Sequence, residues 1–515
     1  MQRESGLLVH PTSFPSPYGI GDLGEGAYEF IDFMYAAKQQ LWQVLPLGPT
    51  GYGDSPYQSF STFAGNHYLI SPKLMCEEGY LTPEDIEHIP DFDPKAVDYG
   101  PVIEYKMGLY RTAFGRFKAK APPKAYAKFC RDNKKWLNDY TLFVALKDYF
   151  IKKRKNDMDI PEEEADCYYG ASWNTWPKDI AKRTKKTMEE YQALLSEEIE
   201  FHRFLQYEFF REWDALRTYA HKKGIKIIGD VPIFVAMDSS DVWAAPGLFQ
   251  LDEENIPKVV AGVPPDYFSE TGQLWGNPLY DWAVHKKQDY AWWVDRMSTL
   301  LNIVDIVRID HFRGFESYWA VPYGQSTAEK GKWVKGPGKA VFTAMAKKLG
   351  SLPIIAEDLG IITDKVRAMR DSLGLPGMAV LQFAFSHDAK NLYLPHNFVT
   401  ANMALYTGTH DNDTTAGWYK AASNKEKDYY RRYMNVSGED VAWDLIRLAW
   451  SSCARYAIAP IQDIFSMGNW ARMNTPGEPV GNWCFRYQAD MLNEELADRL
   501  VYLAKLFNRL PEEEV

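Results

Sequence analysis

Four acidic residues, Asp230, Asp310, Glu357 and Asp411, each follow a short apolar run in this 515-residue chain. The sharpest case is Val304 to Gly314, read VDIVRIDHFRG, where the apolar run Leu300 to Ile309 ends in an Asp, a His and an Arg. Such a run reads as a buried parallel strand opening into a polar loop. Side chains alternate along a strand, so Ile306, Arg308 and Asp310 share one face. An Arg on that face needs a carboxylate partner, because an unpaired buried charge is costly. Its positive charge favours an ionised Asp310, the state a nucleophile requires. Glu357 has no such cation in its local sequence and feels the other carboxylates, so its pKa should rise, which suits a general acid/base. Asp358 has the opposite parity and reads as a structural, hydrogen-bonded Asp. One carboxylate at a strand end is an ordinary structural feature, but several aimed at one opening repel each other and are seldom an accident of packing. Glycosidic-bond chemistry needs two such groups. One attacks the anomeric carbon while the other protonates the leaving oxygen and later deprotonates the acceptor.

Positioning these groups requires strands that converge. Strand-like runs fall near residues 41, 68, 226, 303, 353, 378, 403 and 456, separated by helical segments. That order predicts an α/β fold, a (β/α)8 TIM barrel whose strand C-terminal ends meet at one mouth. Residues 1–24 read as Pro/Gly/Ser-rich ordered loop, and Leu41 to Leu45 as the first barrel strand. Gly19 to Gly24 matches G-x-G-x-x-G, but PTSFPSPY precedes it in place of an apolar strand, so no dinucleotide site is expected. Residues 71–200 read as a charged, mainly helical insertion. Glu197 to Lys223 is an amphipathic helix with Gly224 as its C-cap. Residues 244–280, rich in Pro, Gly and aromatics, read as a lid-like substrate loop. A closing helix, Glu494 to Leu510, is followed by no C-terminal β-sandwich, so residues 1–515 are expected to form a single catalytic barrel.

Composition narrows the partners. With 58 Lys and Arg against 69 Asp and Glu, the net charge is −11, which argues against nucleic acid or an acidic membrane. The five cysteines are odd in number and form no C-x-x-C pair, so neither a disulfide framework nor a zinc site is indicated, and no metal or cofactor is expected. The N-terminus lacks the apolar core of a signal peptide and no run of about 18 apolar residues exists, so a cytoplasmic protein is expected. Aromatic residues make up 15% of the chain, with 17 Trp and 32 Tyr, and such rings suit stacking on sugars. Oligomeric state is not legible.

The stretches VRIDHFRG, AEDLG, TGTHDND, SPYGIGDLG, GDVPIFVAMDSSDVW, GVPPDYFSETGQLWGNPLY and ARMNTPG resemble the motifs of the amylomaltase or disproportionating-enzyme family. Those enzymes are 4-α-glucanotransferases related to the α-amylase superfamily, and the resemblance runs from about Leu7 to Trp483. It implies Asp310 as nucleophile, Glu357 as general acid/base and Asp411 as the third carboxylate, which stabilises the distorted sugar. It implies that Arg308 and His410 hold the sugar at the cleavage site, with Asp230 as a subsite or structural carboxylate. Tyr57, Tyr267, Phe268, Gln273, Trp275 and Asn277 would line the glucan path, with Asn474, Asn482 and Arg486 as further candidates near the last loop. The implied reaction is retaining transfer of an α-1,4-glucan segment to the 4-hydroxyl of glucose or another glucan. The Asn-His that follows the corresponding Asp in amylases is missing after Asp230, so no calcium requirement is implied. Two other readings fit some of these residues: a hydrolase of the same superfamily, and a barrel that binds glucan without catalysis. The first differs only in the fate of the intermediate, and the presence of all three carboxylates argues against the second.

Overall fold

The structure, a computed structural model, describes residues 2–157, 172–265, 269–478 and 480–512. Twelve strands occur among the described residues: β1 (Glu4–Leu8), β2 (Leu41–Gln43), β3 (Lys226–Pro232), β4 (Val259–Val263), β5 (Gln273–Pro278), β6 (Ile306–Asp310), β7 (Ser317–Pro322), β8 (Lys332–Lys335), β9 (Ile354–Ala356), β10 (Gly377–Val380), β11 (Met403–Tyr406) and β12 (Tyr456–Pro460). Eight of them form a parallel sheet in the order β10-β11-β12-β1-β2-β3-β6-β9. The two end strands return to each other, with the Ala356 amide donating to the Pro376 carbonyl at 2.9 Å, so the sheet forms the expected barrel. Inside it Leu8, Leu41, Ile228, Ile306, Ile355 and Ile458 pack into one apolar plug, while the outward residues pack beneath the helices.

Two expected strands are corrected. The first barrel strand is β1, within residues expected to be loop, and Leu41 begins the second. ESGLL carries a charge, a hydroxyl and a glycine, so it has almost no strand signature. Gly6 is required there: a Cβ would stand 1.9 Å from the Leu41 carbonyl oxygen of the neighbouring strand. Conversely, His67–Leu69 is a 3-10 helix, because the Asn66 side chain accepts the Tyr68 N–H and turns the chain. The expected total of eight survived because these two errors offset. The strand expected from Leu300 starts only at Ile306, since Leu300 to Ile303 complete the helix Ala291–Ile303. An apolar run of this length fits either element.

Residues 244–280 carry β4 and β5, which join β7 and β8 in an antiparallel sheet ordered β5-β4-β7-β8. Alternation on β5 turns Gln273 and Trp275 to one side, while Leu274 packs behind with Val260, Val321 and Ala328. Between residues 71 and 200 the described elements are helical, including Tyr99–Ala119 and Lys134–Asp157. The helix Ser196–Lys222 follows, ending before Gly224 at φ 73°. No helix among the described residues is long and apolar enough to cross a membrane.

The chain ends are tied at the N-terminal end of the barrel. Arg509 is fully buried and donates to the carbonyls of Trp450 at 2.7 Å, Glu4 at 2.9 Å, Ala454 at 2.9 Å and Ser452 at 3.2 Å. Arg509→Ala strands these acceptors without donors and is expected to lower the unfolding free energy by roughly 3 kcal/mol or more. Urea denaturation checks this. Because the site lies at the opposite end, kcat of the folded variant should stay close to that of the parent.

Candidate active site

Above the apolar plug the inward residues of the barrel become polar. On β3 the inward set is Ile228 then Asp230, and on β6 it is Ile306, Arg308, Asp310. The register pairs Asp230 with Arg308 directly. Arg308 is 3% exposed and uses both arms of its guanidinium. Nη1 donates to Asp230 Oδ2 at 2.5 Å and Nη2 to Asp310 Oδ1 at 3.0 Å. The Tyr57 hydroxyl donates to the same Asp230 oxygen at 2.8 Å. Its ring stacks on His410, with centroids 5.2 Å apart and planes at 12°.

Glu357 follows β9 directly. Its Oε2 accepts the His311 N–H at 2.7 Å and its Oε1 accepts the Leu359 N–H at 2.7 Å. The first bond depends on an uncommon backbone turn, since His311 sits at φ 54°, ψ 47°, in the left-handed region. The residue after Asp310 thus aims its amide at Glu357. The His311 ring meets Trp275 edge-on at 4.8 Å and 86°.

Asp411 lies on the loop after β11. Its Oδ1 accepts Asn474 Nδ2 at 2.6 Å and lies 3.4 Å from His410 Nε2, while its carbonyl accepts Arg472 Nη2 at 2.6 Å. Asn474 also donates its N–H to the His410 carbonyl at 3.1 Å, so the last loop grips the His410–Asp411 pair from two directions.

Tyr57, Gln273, Trp275, Asn277, Asp310, His311, His410, Asp411, Asn474 and Trp483 line a cleft of about 670 Å³, while Arg308, Asp230 and Glu357 stand behind this lining, next to Asp310 and His311. Asn277 Nδ2 is anchored on the Val235 carbonyl at 2.9 Å, and Gln273 Oε1 accepts Trp275 Nε1 at 3.2 Å. Tyr267 and Phe268 lie outside the described residues. Asn482 supports the loop through Thr475 N–H at 2.8 Å and is not part of the cleft lining. Arg486 is away from the cleft, bonded to the carbonyls of Ser16 at 2.5 Å and Asp93 at 3.1 Å. Asp358 points outward, as its parity predicts, and accepts the Met378 N–H at 2.7 Å. Sequence reasoning missed Arg472 and Trp483. Arg472 acts through a backbone carbonyl, which leaves no pattern, and Trp483 is one aromatic among many. Its ring comes within 5.8 Å of Tyr57.

Burial pushes the Asp310 carboxyl up to about 6, with Arg308 pulling the other way. Arg308 therefore favours the ionised form, as its position implied, but its effect is smaller than that of burial. Burial and then the charge of Asp310 push Glu357 up to about 8. Near neutrality Asp310 is ionised and Glu357 protonated. Burial lowers His311 to about 3, so its imidazole is neutral. A reaction that uses Asp310 deprotonated and Glu357 protonated, as expected from the sequence, predicts that kcat/KM falls below about pH 6 and again above about pH 8. A kcat/KM profile from pH 4 to 10 checks this, and a plateau across the whole range contradicts it.

A family model described as 4-alpha-glucanotransferase matches residues 9–492. The 4-alpha-glucanotransferase of Synechocystis sp. is 48% identical over 514 residues, covering 99% of this chain and 98% of that protein. That of Thermus thermophilus is 48% identical over 520 residues, covering 99% and 100%. The solved structure of amylomaltase from Streptococcus agalactiae in complex with acarbose superposes with a TM-score of 0.92 at 37% identity, covering 99% of this chain and 100% of that one.

Proposed function

This chain belongs to the 4-alpha-glucanotransferase family, and from that premise we propose a double displacement on Asp310 that moves α-1,4-glucan segments between chains. Asp310 attacks the anomeric carbon while the Glu357 carboxylic acid gives its proton to the departing glycosidic oxygen. The fragment released carries the new hydroxyl, and the remaining glycosyl unit is an ester of Asp310. Glu357, now a carboxylate, takes the proton from the 4-hydroxyl of an incoming glucose or glucan. That oxygen attacks the anomeric carbon and frees Asp310. Asp411 and His410 hold the hydroxyls of the distorted sugar, Arg308 aims Asp310, and Asp230 with Tyr57 fixes Arg308.

One observation carries this reading: Asp310 and the amide that holds Glu357 belong to adjacent residues. The nucleophile and the acid/base are therefore located relative to each other through a single peptide unit, with little freedom to drift.

Transfer requires an acceptor sugar to outcompete water at the ester. Trp275 on β5, with Gln273 and Asn277 beside it, forms the acceptor-retaining wall in this reading, as part of the lid-like stretch 244–280. Residues 1–515 act as one catalytic barrel and residues 71–200 as an insertion buttressing it. A cytoplasmic location fits the free thiols of Cys76, Cys130, Cys453 and Cys484.

Maltotriose as sole substrate should give a ladder of longer oligomers; shorter products alone mark a hydrolase. Asp310→Asn is expected to lower kcat by at least roughly a thousandfold, and undiminished turnover rejects the assignment. Trp275→Ala should raise the ratio of free glucose released to chain transferred, read by chromatography of the same digest, and an unchanged ratio removes Trp275 from the acceptor wall.

A further inference from the structure

Asp238 lines the same cleft as Asp310 and Asp411, yet no step of the chemistry uses it. It lies six residues past the end of β3, after Ile233 to Met237. Its Oδ1 accepts the Trp173 N–H at 3.2 Å, and its Oδ2 is paired with the Lys147 ammonium. The Lys147 side chain is 8% exposed, whereas that of Asp238 remains 29% accessible. Lys147 also lies 4.9 Å from the ring centroid of Phe60, another residue of the cleft wall. Trp173 Nε1 donates to the Met237 carbonyl at 2.7 Å, so the backbone beside Asp238 is held as well. Both anchors come from residues 71–200, which otherwise stand outside the site.

A carboxylate offers about four acceptor positions, and two are taken by Lys147 and Trp173. Those left are presented on the cleft side by a group that cannot rotate without breaking both anchors. A fixed carboxylate with spare acceptor capacity matches the vicinal hydroxyls of a glucose ring, which donate two hydrogen bonds at close spacing. Holding it in advance removes the ordering cost of binding.

We infer that Asp238 is a sugar-binding carboxylate that accepts hydroxyl hydrogens from a glucosyl unit flanking the one being cleaved, with Lys147 as its positioning residue. This rests on the reading of the cleft as a glucan site. It gives the helical insertion a part in substrate recognition.

Asp238→Ala and Asp238→Asn are expected to raise KM for maltotriose and longer donors roughly tenfold or more while kcat stays within about threefold. Single-turnover fluoride release from α-glucosyl fluoride, whose one ring fills only the reacting position, should match the parent. Lys147→Met should raise KM in the same direction although Lys147 does not line the cleft, and Lys147→Arg should restore it. Unchanged KM in both Asp238 variants overturns the proposal, as does an equal loss of fluoride release. Asp310→Asn is run in parallel: retained turnover there rejects the catalytic reading alone and leaves the KM comparison at Asp238 standing.

Discussion

The guanidinium of Arg308 is the charge on which the mouth of this barrel depends. Asp230, Asp310 and Glu357 crowd the end of an apolar plug, where two unit charges about 4 Å apart interact by roughly 4 kcal/mol at intermediate polarity. Carboxylates brought together there without compensation would drive the strand ends apart or take up protons. Arg308 sits between Asp230 and Asp310 and bonds both. Glu357 receives two backbone N–H groups instead of a cation, and its proton-accepting tendency is the higher of the pair. Asp411 stands at the outer edge with a side chain 43% accessible, where water screens it. The gap in proton affinity between Asp310 and Glu357 thus follows from where one buried cation is placed, on top of a burial that raises both.

Barrel geometry makes that placement reproducible. The pairing of Asp230 with Arg308 across β3 and β6 is a register partnership, so a slip of one residue would put the two on opposite faces of the sheet. The same strand then delivers Asp310, and the left-handed turn at His311 delivers the amide that holds Glu357. Precision at the reacting atoms is borrowed from the backbone and from hydrogen bonds to it, with few long flexible side chains involved. The outer wall is built differently: Asn474 and Arg472 come from a loop more than 60 residues beyond Asp411 and bond to it from outside, and Trp483 from the same loop packs near His410 and Tyr57. That arrangement leaves the carboxylates rigid and lets the outer wall of the cleft vary by loop sequence.

What could be read from the sequence divides along the same line. β3, β6 and β9 were legible because a buried parallel strand is an apolar run and each ends in a carboxylate that has no reason to be there otherwise. The pairing of Arg308 with Asp310 followed from alternation alone. β1 was not legible, since its residues are selected for close approach to β2, which demands Gly6 and leaves no strand-forming pattern. The 3-10 turn at His67 was hidden because one side-chain cap on Asn66 decides it. The hairpin of β4 and β5 lies in residues whose Pro and Gly content speaks of loops, and its stability comes from β7, a partner far along the chain. The weight of burial at Asp310 was also invisible, because the sequence names the neighbouring cation but not the depth of the site. Contacts such as Lys147 with Asp238, 91 residues apart, have no local signature at all.

In the proposed double displacement a glycosyl unit is carried on the carboxylate of Asp310. Glu357→Gln, treated with α-maltosyl fluoride, needs no acid for departure of fluoride but lacks the base for the second step, so the ester should accumulate. Peptide mass spectrometry after rapid acid quench is then predicted to find the maltosyl adduct on the peptide carrying Asp310. An adduct on Asp230 or Asp411, or none while fluoride is released, would contradict the account.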